Sequence, residues 1–169
     1  MQNMANNLGY LNRILSSRWM ISLYLIVILQ APANAFNNDI NEILELDEEP
    51  SGVVIEIVES NEEALRMLLP EIKQIIDQLH DRFPRLSIAI VSHGREQFAL
   101  TKNNTEENQD IHNGIRQLVD NDIDVHVCGT HASWYDVSPE DFPDYVDVAP
   151  AGPAQINDYR NLGYIHIQL

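Results

Sequence analysis

The chain alternates between short runs of β-branched, apolar residues and longer stretches in which apolar residues recur at helical spacing. Short β-branched runs predict strands, whereas apolar residues three or four positions apart predict amphipathic helices. Five strands are predicted, over 52–60, 85–94, 123–129, 146–152 and 164–169.

Helical patterns fill most of the intervals between these strands. The longest covers 61–83 and begins at Asn61, whose side chain is suited to capping a helix. Pro70 lies inside this pattern and predicts a kink or a division into two shorter helices. Further helical or turn segments are predicted over 105–122, 138–145 and 153–163.

This alternation predicts an α/β fold, a single three-layer domain with a central, mainly parallel five-stranded sheet. Ligands of such sheets bind beyond the carboxyl ends of the strands. Two segments follow strand ends in this way, "SHGRE" at 92–96 and "CGTH" at 128–131. We therefore expect the chemistry of the protein to involve these segments.

The N-terminus has the pattern of a secretory signal peptide. Arg13 and Arg18 precede an uncharged run of eleven residues at 19–29, and small residues lead to Ala35. The run is short for a bilayer span, which takes about 20 residues, so an uncleaved anchor is the weaker alternative. The sequence predicts a signal peptide over 1–35, cut after Ala35, and a periplasmic or secreted protein.

Removal of this leader would leave a strongly acidic chain. All 26 acidic residues follow position 35, whereas two of the ten basic residues precede it, so eight basic residues remain and the formal charge is −18. This charge and the lack of a basic patch argue against nucleic acid as a partner, and against an anionic membrane after cleavage. The predicted organisation continues with an acidic, solvated arm over 36–51 and a domain over 52–169.

Cys128 is the one cysteine in the chain and cannot form a disulfide within it. It is predicted to lie between a strand and a helix, where backbone N–H groups stabilise a thiolate, and His131 is placed to add positive charge or accept its proton. A second interpretation is a metal site made of His126, Cys128 and His131. A third is a small buried residue without chemistry. His93, at the end of the preceding strand, is a candidate for the same crevice.

Other catalytic patterns are missing from the sequence. It contains no G-x-G-x-x-G dinucleotide motif, no phosphate-binding P-loop and no G-x-S-x-G serine elbow. No cofactor is therefore expected.

The order of motifs from Ser87 to Leu169 resembles the DsrE/DsrF-like family, and the resemblance extends more loosely to Gly52. "IAIVSHG" is followed by a helix, by "NDIDVHVCGTHA", by the acidic, proline-containing "SPEDFPDY", and by a final "GYIHI" strand. Many members have a strand that ends in "HG" and a later one that ends in "CGN" or a similar triplet. Thr130 stands where that asparagine is common.

The resemblance implies a compact α/β fold that assembles as a trimer or hexamer. It also implies that Cys128 matches the cysteine on which relay members carry a sulfane sulfur as a persulfide, and that His93 matches the "HG" position. The expected function is that of an exported sulfur carrier, a sulfurtransferase-like protein at most, with a sulfur donor or acceptor protein as partner. The alternatives are an oligomeric binding or scaffold module with a packed cysteine, and a Cys/His metal-binding protein.

Overall fold

The computed structural model describes residues 33–169, with side chains from Asp39 onward. The predicted signal peptide therefore lies outside the described residues, apart from the backbone of its last three positions. Each predicted strand is present at the expected place, with the bounds β1 Val53–Ile57, β2 Ile88–Ser92, β3 Asp124–Cys128, β4 Asp147–Ala149 and β5 Ile165–Gln168.

The helices that the sequence pattern predicts lie between these strands. The α-helices are α1 Ala33–Leu44, α2 Ala64–Arg82, α3 Gln109–Val119, α4 Gly129–Ser133 and α5 Gly152–Asn161. Short 3₁₀ segments cover Arg95–Leu100, Lys102–Asn104 and Pro139–Asp141. None of the described helices has the length and apolar character that crossing a membrane requires.

The five strands form one sheet in the order β4-β3-β2-β1-β5, and every neighbouring pair is parallel. The chain thus adds β2, β3 and β4 on one side of β1 and then returns to place β5 on the other side. Because crossovers between parallel strands are right-handed, α2 and α3 cover one face and α5 covers the opposite face. This confirms the predicted three-layer α/β fold with a mainly parallel sheet.

The face of the sheet that packs against α5 is apolar in its middle and leads toward the candidate site. Val54 of β1 and Ala89 and Val91 of β2 form a buried cluster there with Ile156 and Tyr159 of α5. Side chains two positions apart on a strand share a face. The face under α5 therefore continues toward the carboxyl ends of the strands, where the site lies.

Pro70 does not divide α2, which runs without a break from Ala64 to Arg82. Its side chain is exposed, whereas Leu69 and Ile72 beside it are buried. The buried residues on both sides of the proline hold one helix together even though the proline cannot donate a helical hydrogen bond.

The segment assigned to the acidic arm begins with a buried helical part. Ile40 and Ile43 of α1 are 4% and 2% exposed. The Arg82 guanidinium donates to the backbone carbonyl oxygens of Leu44 and Leu46, at 3.2 and 2.6 Å. The start of the arm is thus fixed to the domain by apolar burial and by Arg82, while the acidic residues after it are exposed.

A partly buried polar chain links β3 to α5, away from the carboxyl ends of the strands. His126 Nε2 donates to the Tyr159 hydroxyl at 2.7 Å, and that hydroxyl donates to Asp124 at 3.2 Å. Burial lowers the pKa of His126, although the charges of Asp147 and Asp124 oppose this shift. Burial also raises the pKa of Tyr159. His126 is therefore a neutral, structural residue in the folded protein.

The lowered pKa of His126 predicts a pH-dependent stability. The unfolded state takes up a proton near pH 6.5, whereas the folded state takes it up only at lower pH, so the free energy of unfolding falls as the pH drops below about 6.5. We expect the His126→Gln variant to lose part of this dependence, by at most about 1.4 kcal/mol per pH unit.

Urea unfolding of both proteins between about pH 8 and pH 5.5 measures this effect. The difference measured at pH 8, where the histidine is neutral in both states, serves as the baseline. Parallel curves for the two proteins over the whole range would contradict the assignment.

Candidate functional site

Cys128 ends β3 and caps the short helix α4. Its Sγ accepts two backbone N–H groups, from His131 at 3.3 Å and from Gly152 at 3.2 Å. The first N–H belongs to α4 and the second to the first residue of α5. The sulfur thus lies at a point where backbone donors from two segments converge.

The register of β3 and β4 produces this geometry. Cys128 pairs with Ala149, so the chain that leaves β4 passes directly beside the sulfur. Thr130 fixes the same segment, because both its backbone N–H and its hydroxyl donate to the carbonyl oxygen of Pro150, at 3.0 and 2.7 Å. The threonine that replaces the family's common asparagine therefore connects α4 to the segment that leads to α5.

Gly152 is required at its position by a close approach. A Cβ on this residue would lie 2.5 Å from the Cβ of His93. Any larger residue would push the start of α5 away from β2, and with it the N–H group that donates to Cys128. The glycine therefore lets the backbone donor and the His93 side chain occupy the same corner of the site.

Gln97 connects the cysteine to His131. The Cys128 N–H donates to Gln97 Oε1 at 2.8 Å, which fixes the orientation of the amide. Its NH₂ group therefore donates to His131 Nδ1, at 3.0 Å. Nδ1 thus carries no hydrogen, and in the neutral ring Nε2 carries it. Gln97 thus selects the tautomer of the His131 ring.

Aromatic rings surround the His131 imidazole. The ring centroids of Phe98, Trp134 and Tyr135 lie 5.6, 5.4 and 5.3 Å from that of His131, in tilted or edge-on arrangements. These contacts and the Gln97 amide fix both the plane and the tautomer of the ring. His131 therefore presents Nε2–H as a hydrogen-bond donor of defined direction.

His93 belongs to a second polar group, centred on Glu56. The two oxygens of the Glu56 carboxylate contact the Nε2 atoms of His93 and His166, both at 2.7 Å. Glu56 lies on β1 between β2 and β5, so it connects β5 to the residue that follows β2. The Nδ1 atom of His93 has no hydrogen-bond partner among the described residues.

Glu96 is fully buried and braces the loops beside His93. Its carboxylate accepts the Ser92 hydroxyl at 2.7 Å and the backbone N–H groups of Gly94 and Glu59, at 2.9 and 2.7 Å. These donors belong to the last residue of β2 and to the segments that follow β2 and β1. Glu96 thus holds together two of the loops that form the wall of the site.

A cavity of about 760 Å³ opens beside Cys128. His93, Cys128 and His131 all line it, as do Arg95 and Trp134. The structure therefore brings together the ends of β2 and β3 that the sequence singles out, and places the three candidate site residues around one space. Their catalytic roles stay predictions.

The structure does not bring together His126, Cys128 and His131, the residues of the metal interpretation. His126 faces Tyr159 and Asp124 along the sheet, so it does not join Cys128 and His131 in a ligand set. Within residues 39–169, no group of three or more His, Cys, Asp and Glu side chains is arranged to hold a metal ion.

A family model supports the relationship that the motifs indicate. The model described as the DsrE/DsrF-like family matches residues 53–169. The chain belongs to the DsrE/DsrF-like family. Among solved structures, it is similar to MTH1491, a protein of unknown function from Methanobacterium thermoautotrophicum, with 17% identity and a TM-score of 0.57. The match covers 69% of this chain and 97% of that chain, and it supports the fold alone. The comparison with curated proteins gives no match.

Three residues that position the candidate site of this DsrE/DsrF-like protein are not predicted from the sequence. They are Glu56, Gln97 and Gly152. Glu96 lies within the "SHGRE" segment at 92–96 and Gln97 directly follows it, so the position of that segment at a strand end is the available signal for both. Gly152 follows β4 in the same way. Nothing in the local pattern distinguishes Glu56 from a surface residue of an alternating strand.

The two hydrogen bonds of the buried Gln97 amide predict a stability difference. Gln97→Met keeps the length of the side chain but leaves the buried Cys128 N–H without an acceptor, which costs about 1–3 kcal/mol. The matched control is Gln117→Met, because Gln117 lies exposed on α3 and bonds only to Lys73 and Asn121. That change is expected to stay within about 0.5 kcal/mol.

Urea unfolding of the two variants and the parent measures both values. Equal stability of the Gln97→Met variant and the parent protein would show that the amide does not support the cysteine.

Proposed function

We propose that this protein is a sulfur carrier that holds a sulfane sulfur on Cys128 as a persulfide. The DsrE/DsrF-like family includes sulfur-relay proteins, and the resemblance of the motifs matches Cys128 to their carrier cysteine. The observation that carries the proposal is the pair of backbone N–H donors on Sγ, at 3.3 and 3.2 Å, beside an open cavity. A cysteine that only fills space in the core needs neither the two N–H donors nor an adjacent open cavity.

The proposed step is an exchange between sulfur atoms. The Cys128 thiolate attacks the outer sulfur of a donor persulfide, R–S–SH. The donor S–S bond breaks as the new bond forms, so the products are Cys128–S–SH and the donor thiolate, R–S⁻. The sulfane sulfur keeps its oxidation state, and the step needs no external oxidant or reductant.

The two histidines support different parts of this step. His131 presents Nε2–H, which is suited to donate a hydrogen bond to the departing thiolate. His93 is held through Nε2 by Glu56, so its free Nδ1 is suited to accept the proton of the Cys128 thiol. The N–H groups of His131 and Gly152 then stabilise the negative charge on sulfur.

The proposal extends to compartment and assembly. A protein exported through the signal peptide over 1–35 would meet persulfide donors outside the cytoplasm, where an unpaired cysteine is exposed to oxidants. The trimer or hexamer implied by the family is part of the same proposal, with a sulfur donor or acceptor protein as partner.

One observation favours a second candidate function. Cys128 is only 4% exposed, as expected for a small buried residue in a non-catalytic binding or scaffold module. In that case, replacing the cysteine would change stability but not function. The reactivity of the folded protein separates the two candidates.

The test is to incubate the folded full-length chain with polysulfide and to measure its intact mass. We expect a gain of about 32 Da, the mass of one sulfur atom, that dithiothreitol removes. Cys128→Ala and Cys128→Ser are expected to gain nothing. Because the chain has no other cysteine, the site of loading is unambiguous.

The urea-unfolded protein provides the reference for an accessible thiol. If the unfolded chain takes up sulfur while the folded chain does not, Cys128 is a packed residue and the carrier function is wrong.

A further inference from the structure

The cavity beside Cys128 is large compared with an inorganic sulfur species. Its volume of about 760 Å³ is within the range of about 300–1,000 Å³ that is usual for pockets that bind organic ligands. A hydrosulfide or short polysulfide ion would fill only a small part of it. The volume therefore indicates a ligand with an organic body.

The walls of the cavity are mostly apolar. The apolar side chains that line it are Val58, Trp134, Ala151, Pro153 and Ala154. Trp134 is 73% exposed and Val58 is 41% exposed, so these walls lack protein contacts that would otherwise cover them. Binding an apolar group there removes exposed hydrophobic surface from water, which is favourable. An inorganic anion gains nothing from the same surface.

Polar groups converge at the end of the cavity where the sulfur lies. Two N–H donors already contact Cys128 Sγ, and His131 Nε2–H has no other partner among the described residues. These donors suit one small anionic sulfur group next to the thiol. The arrangement is thus apolar along the walls and donor-rich at one end.

The charge around the cavity favours at most one negative charge on the ligand. Among the described residues, Arg95 is the one lysine or arginine that lines the cavity. Its guanidinium contacts Glu62 at 3.2 Å and lies 5.1 Å from the centroid of the Tyr135 ring, so Glu62 and the ring already compensate part of its positive charge. Among the described residues, no second lysine or arginine lines the cavity to pair with a ligand that carries several anionic groups.

We propose that the cavity binds a low-molecular-weight organic persulfide, or the corresponding thiol, with an aryl or branched alkyl body. The apolar body contacts the Trp134 wall, and the sulfur end lies against Cys128 and the Nε2–H of His131. The identity of the ligand as a sulfur donor or acceptor rests on the proposed function. The preference of the cavity for an apolar body does not depend on the proposed function, and it is tested separately.

The test compares methanethiosulfonate reagents, which share one reacting group and form a mixed disulfide with Cys128 while a sulfinate leaves. The benzyl reagent carries an apolar body, and the sulfonatoethyl reagent carries an anionic one. Intact mass follows the rate of each reaction in the folded full-length chain. The ratio of the benzyl rate to the sulfonatoethyl rate is also measured in the urea-unfolded chain, which corrects for the intrinsic reactivity of the reagents.

We expect the folded chain to favour the benzyl reagent by at least about tenfold over the ratio in the unfolded chain. Trp134→Ser should abolish most of this preference, whereas Trp134→Phe should retain it. Met67→Ser is the matched control, because Met67 on α2 is 72% exposed but does not line the cavity. It is expected to leave the preference unchanged.

Equal ratios of benzyl to sulfonatoethyl rate in the folded and unfolded chains would overturn the proposal. A benzyl preference that persists in the Trp134→Ser variant would also overturn it. Sulfur loading from polysulfide without a benzyl preference would leave the carrier function intact and indicate a protein donor instead. A benzyl preference without sulfur loading would keep the apolar ligand site and reject sulfur transfer.

Discussion

The hydrogen bonds from two backbone N–H groups to Cys128 Sγ are the interaction on which the site depends. They come from His131 and Gly152, in segments that follow two neighbouring strands, so they exist only because β3 and β4 are parallel and end at the same level. The close approach of Gly152 to His93 extends the arrangement to β2. The fold itself therefore positions the backbone donors that contact this buried sulfur.

Two adjacent residues of the 3₁₀ segment after β2 organise the rest of the site. Glu96 accepts donors from the loops after β1 and β2, whereas Gln97 joins Cys128 to His131. No described side-chain nitrogen or oxygen atom is buried without a hydrogen-bond partner. Such fully satisfied networks fix side-chain orientations, which explains why the His131 ring has one defined orientation. The site is thus pre-organised around the thiol before any ligand binds.

The sequence predicts the strands, the helices and their order better than the hydrogen bonds between distant residues. Strand periodicity and the glycines after β2 and β3 locate His93 and Cys128 at one edge of the sheet, because parallel strands align their carboxyl ends. Glu56, Gln97 and Gly152 escape this reasoning because their contacts join residues 37, 31 and 24 positions apart. The metal interpretation fails for a similar reason, since the direction of His126 is decided by Tyr159 on a distant helix.

We propose that a sulfur carried on Cys128 remains in contact with the N–H groups of His131 and Gly152. ¹⁵N NMR of these two amide resonances, before and after polysulfide treatment of the folded chain, tests this contact. Both resonances are expected to shift on loading, to return after treatment with dithiothreitol, and not to respond in Cys128→Ala. Unchanged resonances in a chain whose mass shows the added sulfur would contradict the proposed contact.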